Sequence, residues 1–323
     1  IGTGRLLLYD WNARVSINSG AELVIDNVND TCGAQPGTSS HNATLSIDGG
    51  KLTIKAQETV DRYLQFRGHK SVFEMKNGAT FDNSSSAPGL QFCTDVTDGE
   101  GSFSIADSTL MMTNSNNGSR GLMIHPHAST VKVTNSTIKF PQFYCGQFTS
   151  ANYGGAGTYY DLDNNARDSQ FAFNNSTFEA AFRPGVSLNS YSGIFFGPKT
   201  HGNTMTFDGA KSSYTGAIFA LGGETNTLQV KSGTFKATSR FDFAPGHHAH
   251  AWFSGGVSTL SWVQSRNTNS TFTVSDGACV SVNGSDFYCS TDKSGVEVTG
   301  GNLSVYTTAS KSTAFRLTAA ENY

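Results

Sequence analysis

The sequence predicts an all-β solenoid of about ten coils, wound as a three-sided parallel helix, and three observations predict it. The first is an internal echo that reads apolar–x–apolar–x–(Gly, Asn, Asp or Ser)–small–x–apolar–x–apolar. Its copies are RVSINSGAELVI (14–25), TLSIDGGKLTI (44–54), VFEMKNGATF (72–81), FSIADSTLMM (103–112) and VKVTNSTIKF (131–140). It continues through FAFNNSTFEA (171–180), MTFDGAKSSY (205–214), LQVKSGTFKA (228–237), FTVSDGACVSV (272–282) and VEVTGGNLSV (296–305). The second is that apolar residues alternate with period two inside every copy, while helical periodicity is missing throughout. The third is a further apolar segment 10–20 residues after most copies: YLQF (63–66), LQF (90–92), LMI (122–124), IFF (194–196), AIF (217–219), FYC (287–289) and AFRL (314–317).

Each element of a coil follows in order. Val, Ile, Phe and Thr dominate the first alternating run, as a pleated, half-buried strand prefers. Gly-Gly, Asn-Gly, Asp-Gly or Asn-Ser then turns the chain. A second short strand such as KLTI or ATF follows, and the third apolar segment completes three sides. Anchoring on the second apolar residue gives Ile17, Ile47, Met75, Ile105, Val133, Phe173, Phe207, Val230, Val274 and Val298, with gaps of 30, 28, 30, 28, 40, 34, 23, 44 and 24 residues. These residues are the expected inward ladder. One coil has nothing to bury its apolar side against, so stacking is what makes the unit stable. An array of β-sandwich hairpins is the alternative, and the recurring third segment speaks against it.

Composition narrows the partners. Only 15% of residues are charged and the net charge is -3, so no basic stripe exists for nucleic acid. No apolar run approaches the ~20 residues of a membrane span. The chain starts at Ile1 rather than Met, and a mature or excised segment is expected. Ten Asn-x-Ser/Thr triplets occur, at Asn29, Asn42, Asn83, Asn117, Asn135, Asn174, Asn175, Asn269, Asn283 and Asn302; a chain this rich in these residues generates many by chance. Of five cysteines, Cys93, Cys145 and Cys289 follow aromatic strand residues and are expected inside. Cys279 and Cys289 are ten residues apart and within reach of a pairing across a turn, and Cys32 lies in a Gly/Pro loop.

The repeat resembles the right-handed parallel β-helix of the pectin-lyase-like superfamily, and also the β-helical passenger domains and adhesin repeats of bacterial surface proteins. It extends over about residues 14–318 and rests on the repeat pattern, without a signature motif. The resemblance implies a single domain over 1–323, with a cap or sheet edge at 1–13 and at 309–323. The two longest gaps imply insertions near 143–169 and 240–269. Long loops on a rigid scaffold are the usual home of binding chemistry.

The first insertion concentrates Tyr153, Tyr159, Tyr160, Asp161, Asp163 and Asp168. Tyr rings suit the apolar face of a pyranose. Asp161, Asp163 and Asp168 are the candidate metal ligands, with hard oxygens suited to Ca²⁺, the one cofactor the sequence suggests. A solvated turn is the plainer reading. The second insertion carries His247, His248, His250, Trp252 and Trp262, and Trp252 joins the candidate carbohydrate contacts. In an extended segment His248 and His250 point to one side, as do His125 and His127, and each pair offers two ligands to a metal. Ordinary loop histidines are the plainer reading here too.

Polysaccharide-cleaving relatives on this scaffold use an Asp-Asp step, Gly-His-Gly and Arg-Ile-Lys, or an Arg-x-Pro-x-x-Arg run. The chain has Gly246-His247-His248 and Arg183-Pro184 and none of the complete motifs. Catalytic residues are therefore not assigned; were the chain an enzyme, Asp161, Asp163 and Asp168 with Arg167 or Arg183 are the first suspects. The expected function is that of an extracellular or cell-surface structural and adhesive protein that contacts glycans or other copies of itself. A polysaccharide lyase or glycoside hydrolase on the same scaffold, and a self-assembling filament subunit, are the alternatives.

Overall fold

The structure, a computed structural model, describes residues 14–27, 44–56, 63–68, 71–83, 89–94, 101–112, 122–145, 166–180, 192–284, 286–289, 291–306 and 315–317. Among them every regular element is a strand and every pairing between named strands is parallel, as in a parallel β-helix. The first face is one eleven-stranded sheet: Arg14–Asn18, Thr44–Asp48, Val72–Lys76, Ser102–Ala106, Thr130–Thr134, Gln170–Asn174, Thr204–Asp208, Thr227–Val230, His250–Phe253, Thr271–Ser275 and Gly295–Thr299. Each strand opens one coil, numbered 1 to 11 below. At the usual strand spacing of ~4.8 Å, eleven coils make a rod roughly 50 Å long.

The second and third faces run as two files, from Glu22–Asn27 to Asn302–Tyr306 and from Tyr63–Gly68 to Phe315–Leu317. They merge into one sheet because two strands turn the corner without a break, Ser213–Leu221 in coil 7 and Thr234–His247 in coil 8. Register shifts between Gly216 and Ile218, and between Phe243 and Gly246, absorb the bend. Gly246 has φ 153° and a Cβ there would lie 1.8 Å from the Gly223 carbonyl oxygen, so only glycine fits.

The anchor ladder is real, with one rung added. Ile17, Ile47, Met75, Ile105, Val133, Phe173, Phe207, Val230, Phe253, Val274 and Val298 pair in unbroken register. Phe253 is the rung missing from the sequence-based set. The 44-residue gap is two coils of 23 and 21 residues, and the expected insertion near 240–269 is corrected: those residues are strands of coils 8 and 9. The long uninterrupted strand Thr234–His247 has no Gly or Asn turn at its corner to announce the boundary. The interval 143–169 opens in strand Gln142–Tyr144 and closes at the turn 166–169; residues 146–165 lie outside the described residues. So do residues 1–13 and most of 309–323, of which Phe315–Leu317 pairs with the third-face strand of coil 10.

Inward side chains fuse into one core that extends through all the coils and is rich in stacked phenylalanine. Phe73 and Phe103 stack at 4.7 Å, and Phe219 and Phe241 at 5.6 Å with planes 6° apart. Nine of the ten sequence anchors are buried; Val298, in the last coil, is 48% exposed. Cys145 and Cys289 are buried as expected. Cys279 is an exposed free thiol, and no disulfide joins it to Cys289, so the pairing that the ten-residue spacing left open does not form. The nine residues between them pass one corner, so Cys279 opens a second-face strand while Cys289 ends a third-face strand.

Two buried polar ladders fix the corners. Between the first and second faces, a left-handed residue precedes a buried Ser that precedes the strand-opening Thr: Asp107-Ser108-Thr109, Asn135-Ser136-Thr137 and Asn175-Ser176-Thr177. Ser136 Oγ accepts the Ser108 N–H at 3.1 Å and donates to the Thr134 carbonyl at 2.6 Å, so a buried amide of one coil is satisfied by the next. Between the third and first faces the ladder reads Ser129, Ser169, Asn203 and Asn226. Asn203 accepts the Ser169 N–H and donates to the Ala166 carbonyl (2.8 Å) and Asn226 Oδ1 (2.9 Å).

Outside the core, Tyr144, Phe195, Ala217, Ile218, Ala220 and Ala244 form a smaller buried cluster on the outer side of the third face. Beside it Asp242 is fully buried, held by Arg266 (2.5 Å) and Arg240 (3.6 Å).

Candidate functional site on the first face

Strand His250–Phe253 turns Ala251 and Phe253 into the core, so alternation sends His250 and Trp252 outward. They pair with Thr227 and Gln229 behind and with Thr271 and Thr273 ahead. Both rings lean forward, toward coil 10. His250 Nε2 hydrogen-bonds Thr273 Oγ1 at 3.0 Å. The Trp252 indole N–H donates to Ser275 Oγ at 2.8 Å, and the Ser275 hydroxyl donates to Asp276 Oδ2 at 2.9 Å. The two rings are parallel within 5°, with centroids 6.3 Å apart.

This arrangement holds an aromatic platform still. Thr273 and Ser275 are buried beneath the rings, each with a partner for its hydroxyl. Burial lowers the His250 pKa below its usual value of 6.5, and the nearby Glu297 carboxylate opposes the shift. Neutral imidazole, indole, hydroxyls, the Gln229 amide and the exposed carboxylates of Asp276 and Glu297 thus share one flat sheet surface. Its chemistry is that of a planar ring for stacking with donors and acceptors around it.

A second row of polar residues runs along the edge where the third face turns into the first. His127, Arg167, His201, Glu224, His247 and Thr268 bridge in succession. His127 is buried, while Glu224 and His247 are exposed. His201 Nε2 lies 3.7 Å from Asp168 Oδ2, and His247 Nδ1 lies 2.5 Å from Thr268 Oγ1. His248 has φ 58°, so the segment is not extended there. That corrects the expectation that His248 and His250 share a side: the chain turns between them. The His125 side chain lies outside the described residues. Among the described residues no three His, Cys, Asp or Glu side chains converge on a metal position.

Of the sequence-predicted contacts, Trp252 stands on this platform, though as a strand residue rather than a loop residue. Asp168 is an exposed left-handed turn residue (φ 50°) at the start of coil 6, three coils or roughly 14 Å from Trp252. The structure does not bring the two together. Tyr153, Tyr159, Tyr160, Asp161 and Asp163 lie outside the described residues, as does Arg183. Thr273, Ser275, Asp276 and Glu297 escaped the sequence reading. Their signal was register: Ser275 follows Trp252 by 23 residues, a coil length that becomes visible only once coil 9 is recognised. No family model, curated protein or solved structure matches the chain.

Proposed function

We propose that this chain is an extracellular or cell-surface β-helical protein of pectin-lyase-like type, with an adhesive or structural role exercised through glycan contact on its first face. Trp252 is the observation that carries the reading: an indole pinned by Ser275 above a rigid sheet, beside a parallel imidazole and among hydroxyl and amide groups. A pyranose stacks its C–H face on such a ring while the surrounding groups bond its hydroxyls. Because the platform is held by hydrogen bonds before any ligand arrives, little ordering entropy opposes binding. Tyr153, Tyr159 and Tyr160 belong to the same proposal as further stacking residues, and Asp161, Asp163 and Asp168 as oxygen donors for calcium.

The test is a glycan array followed by calorimetry on the full chain and on Trp252→Ala. Binding of at least one polysaccharide class is expected. Loss of the ring, worth about 1.4 kcal/mol at the upper end of aromatic contacts, lowers affinity about tenfold. Unchanged affinity in Trp252→Ala, with its circular dichroism intact, removes Trp252 from the contact surface.

A further inference from the structure

Ahead of the rings, the charge that a first-face strand itself turns outward is a carboxylate, while the exposed Lys293 stands apart in the turn that opens coil 11, at the His250 edge. We infer that the Trp252 surface selects glycans that carry free amino groups, such as glucosamine polymers, over uronic-acid or fully N-acetylated chains; this rests on the glycan reading above. On the outward side of coils 9 to 11 the first-face strands place His250, Trp252, Thr271, Thr273, Ser275, Glu297 and Thr299, and the one charged residue among them is the Glu297 carboxylate. Asp276, in the turn leaving coil 10, adds a second carboxylate and is tied to the indole through Ser275.

Position strengthens the case. Trp252 pairs with Thr273, and Thr273 pairs with Glu297, so the ring and the carboxylate stand in one row two coils, or roughly 10 Å, apart. That span is about two sugar-ring widths, so with one sugar on Trp252 the second sugar along the chain stands over Glu297. Lys231 flanks the platform on the opposite side, one coil back, and both rings lean away from it. An ammonium group gains from an indole face and from two exposed carboxylates together. A uronate meets the same carboxylates as like charges.

The experiment is calorimetric titration of the full chain with three defined hexasaccharides: glucosamine, N-acetylglucosamine and galacturonic acid, each at 50 and 500 mM NaCl. The expected result is that the glucosamine hexamer binds at least tenfold tighter than either of the others at low salt, with the advantage shrinking at high salt. Glu297→Gln is expected to cut the glucosamine affinity at least threefold and to lower N-acetylglucosamine affinity by a smaller factor, so that the preference for the free amine narrows. Trp252→Phe, which keeps a ring, is expected to retain the preference with weaker binding overall. Equal or tighter binding of the galacturonic or N-acetylated hexamer overturns the selection while leaving the glycan reading standing. Binding of none of the three, together with a silent glycan array, overturns both.

Discussion

Replacing Phe253 by alanine separates the two ways of reading residues 240–269. If the segment were a cover laid on the rod, the ring would be partly solvated and its loss would cost within about 1 kcal/mol. In the structure Phe253 is fully buried. Its ring meets Phe272 at 5.0 Å, Phe235 at 5.9 Å and Phe241 at 6.1 Å. Core Phe→Ala changes cost about 3–5 kcal/mol, and three aromatic neighbours place this site at the upper end, near 4–5 kcal/mol. Phe253→Leu, which keeps most of the volume, is expected to lose about 1.5 kcal/mol. Because a solenoid's stability is roughly a sum of coil terms and neighbour terms, the loss is local. Hydrogen exchange followed by mass spectrometry is therefore the assay, alongside urea unfolding. Faster exchange is expected in 227–230, 250–253 and 271–275, with little change in the first five coils. A loss below about 1 kcal/mol in Phe253→Ala, or exchange that rises evenly along the rod, would refute the coil assignment.

Other outcomes follow from the corners and the titratable groups. Asn203→Ala strips the Ser169 N–H of its buried acceptor and is expected to cost about 2 kcal/mol. Asn203→Ser is expected to recover at least half, since serine fills this position at Ser129 and Ser169; equal urea midpoints for the two variants would count against the ladder. Burial holds the Cys145 thiol well above its usual pKa and pushes Cys289 up to about 11, while Cys279 is exposed. Peptide mapping after iodoacetamide at pH 8 should find Cys279 alkylated and the other two protected until the chain is unfolded. The folded-state pKa of His250 lies below 6.5, so between the two values the unfolded chain binds a proton that the folded one does not. Stability therefore falls as pH drops below 6.5 and levels off below the folded pKa. His250→Gln should remove that component from urea midpoints measured between pH 7.5 and 5, and an identical pH profile in the variant would show the reasoning wrong.

How much was legible depended on whether a residue's role was local or set by its neighbour above. Period-two alternation is local, and it exposed the anchors from Ile17 to Val274 and most third-face strands. Phe253 was hidden because coil 9 opens on a small residue, Ala251, flanked by outward His250 and Trp252, so its strand shows aromatic and polar residues where alternation normally shows branched aliphatics. The strand before it, Thr234–His247, passes two faces without a turn. The site was less legible for the same reason. Trp252 stands out in any sequence, but Thr273, Ser275 and Glu297 join it through pairing between coils of 21 to 24 residues, a relation no local window contains. The possible Cys279–Cys289 pairing stayed open in the sequence because distance along the chain around a corner says nothing about which face each cysteine occupies.

The corner geometry also bears on chemistry added after synthesis. Three of the Asn-x-Thr triplets, at Asn135, Asn175 and Asn269, begin at a residue with φ of 49°, 47° and 55°, continue with a buried serine and end on the first residue of a strand. The same corner is built with aspartate at Asp107-Ser108-Thr109, where the triplet that an oligosaccharyltransferase reads is gone and the turn is kept. Asn135 already spends an amide hydrogen on Asp107 Oδ1 of the preceding coil (3.1 Å). At these three sites the modification consensus is what remains when a left-handed turn, a buried hydroxyl and a β-branched opening residue fall in sequence, so the triplet there reports a bend of the rod rather than a place built for a sugar.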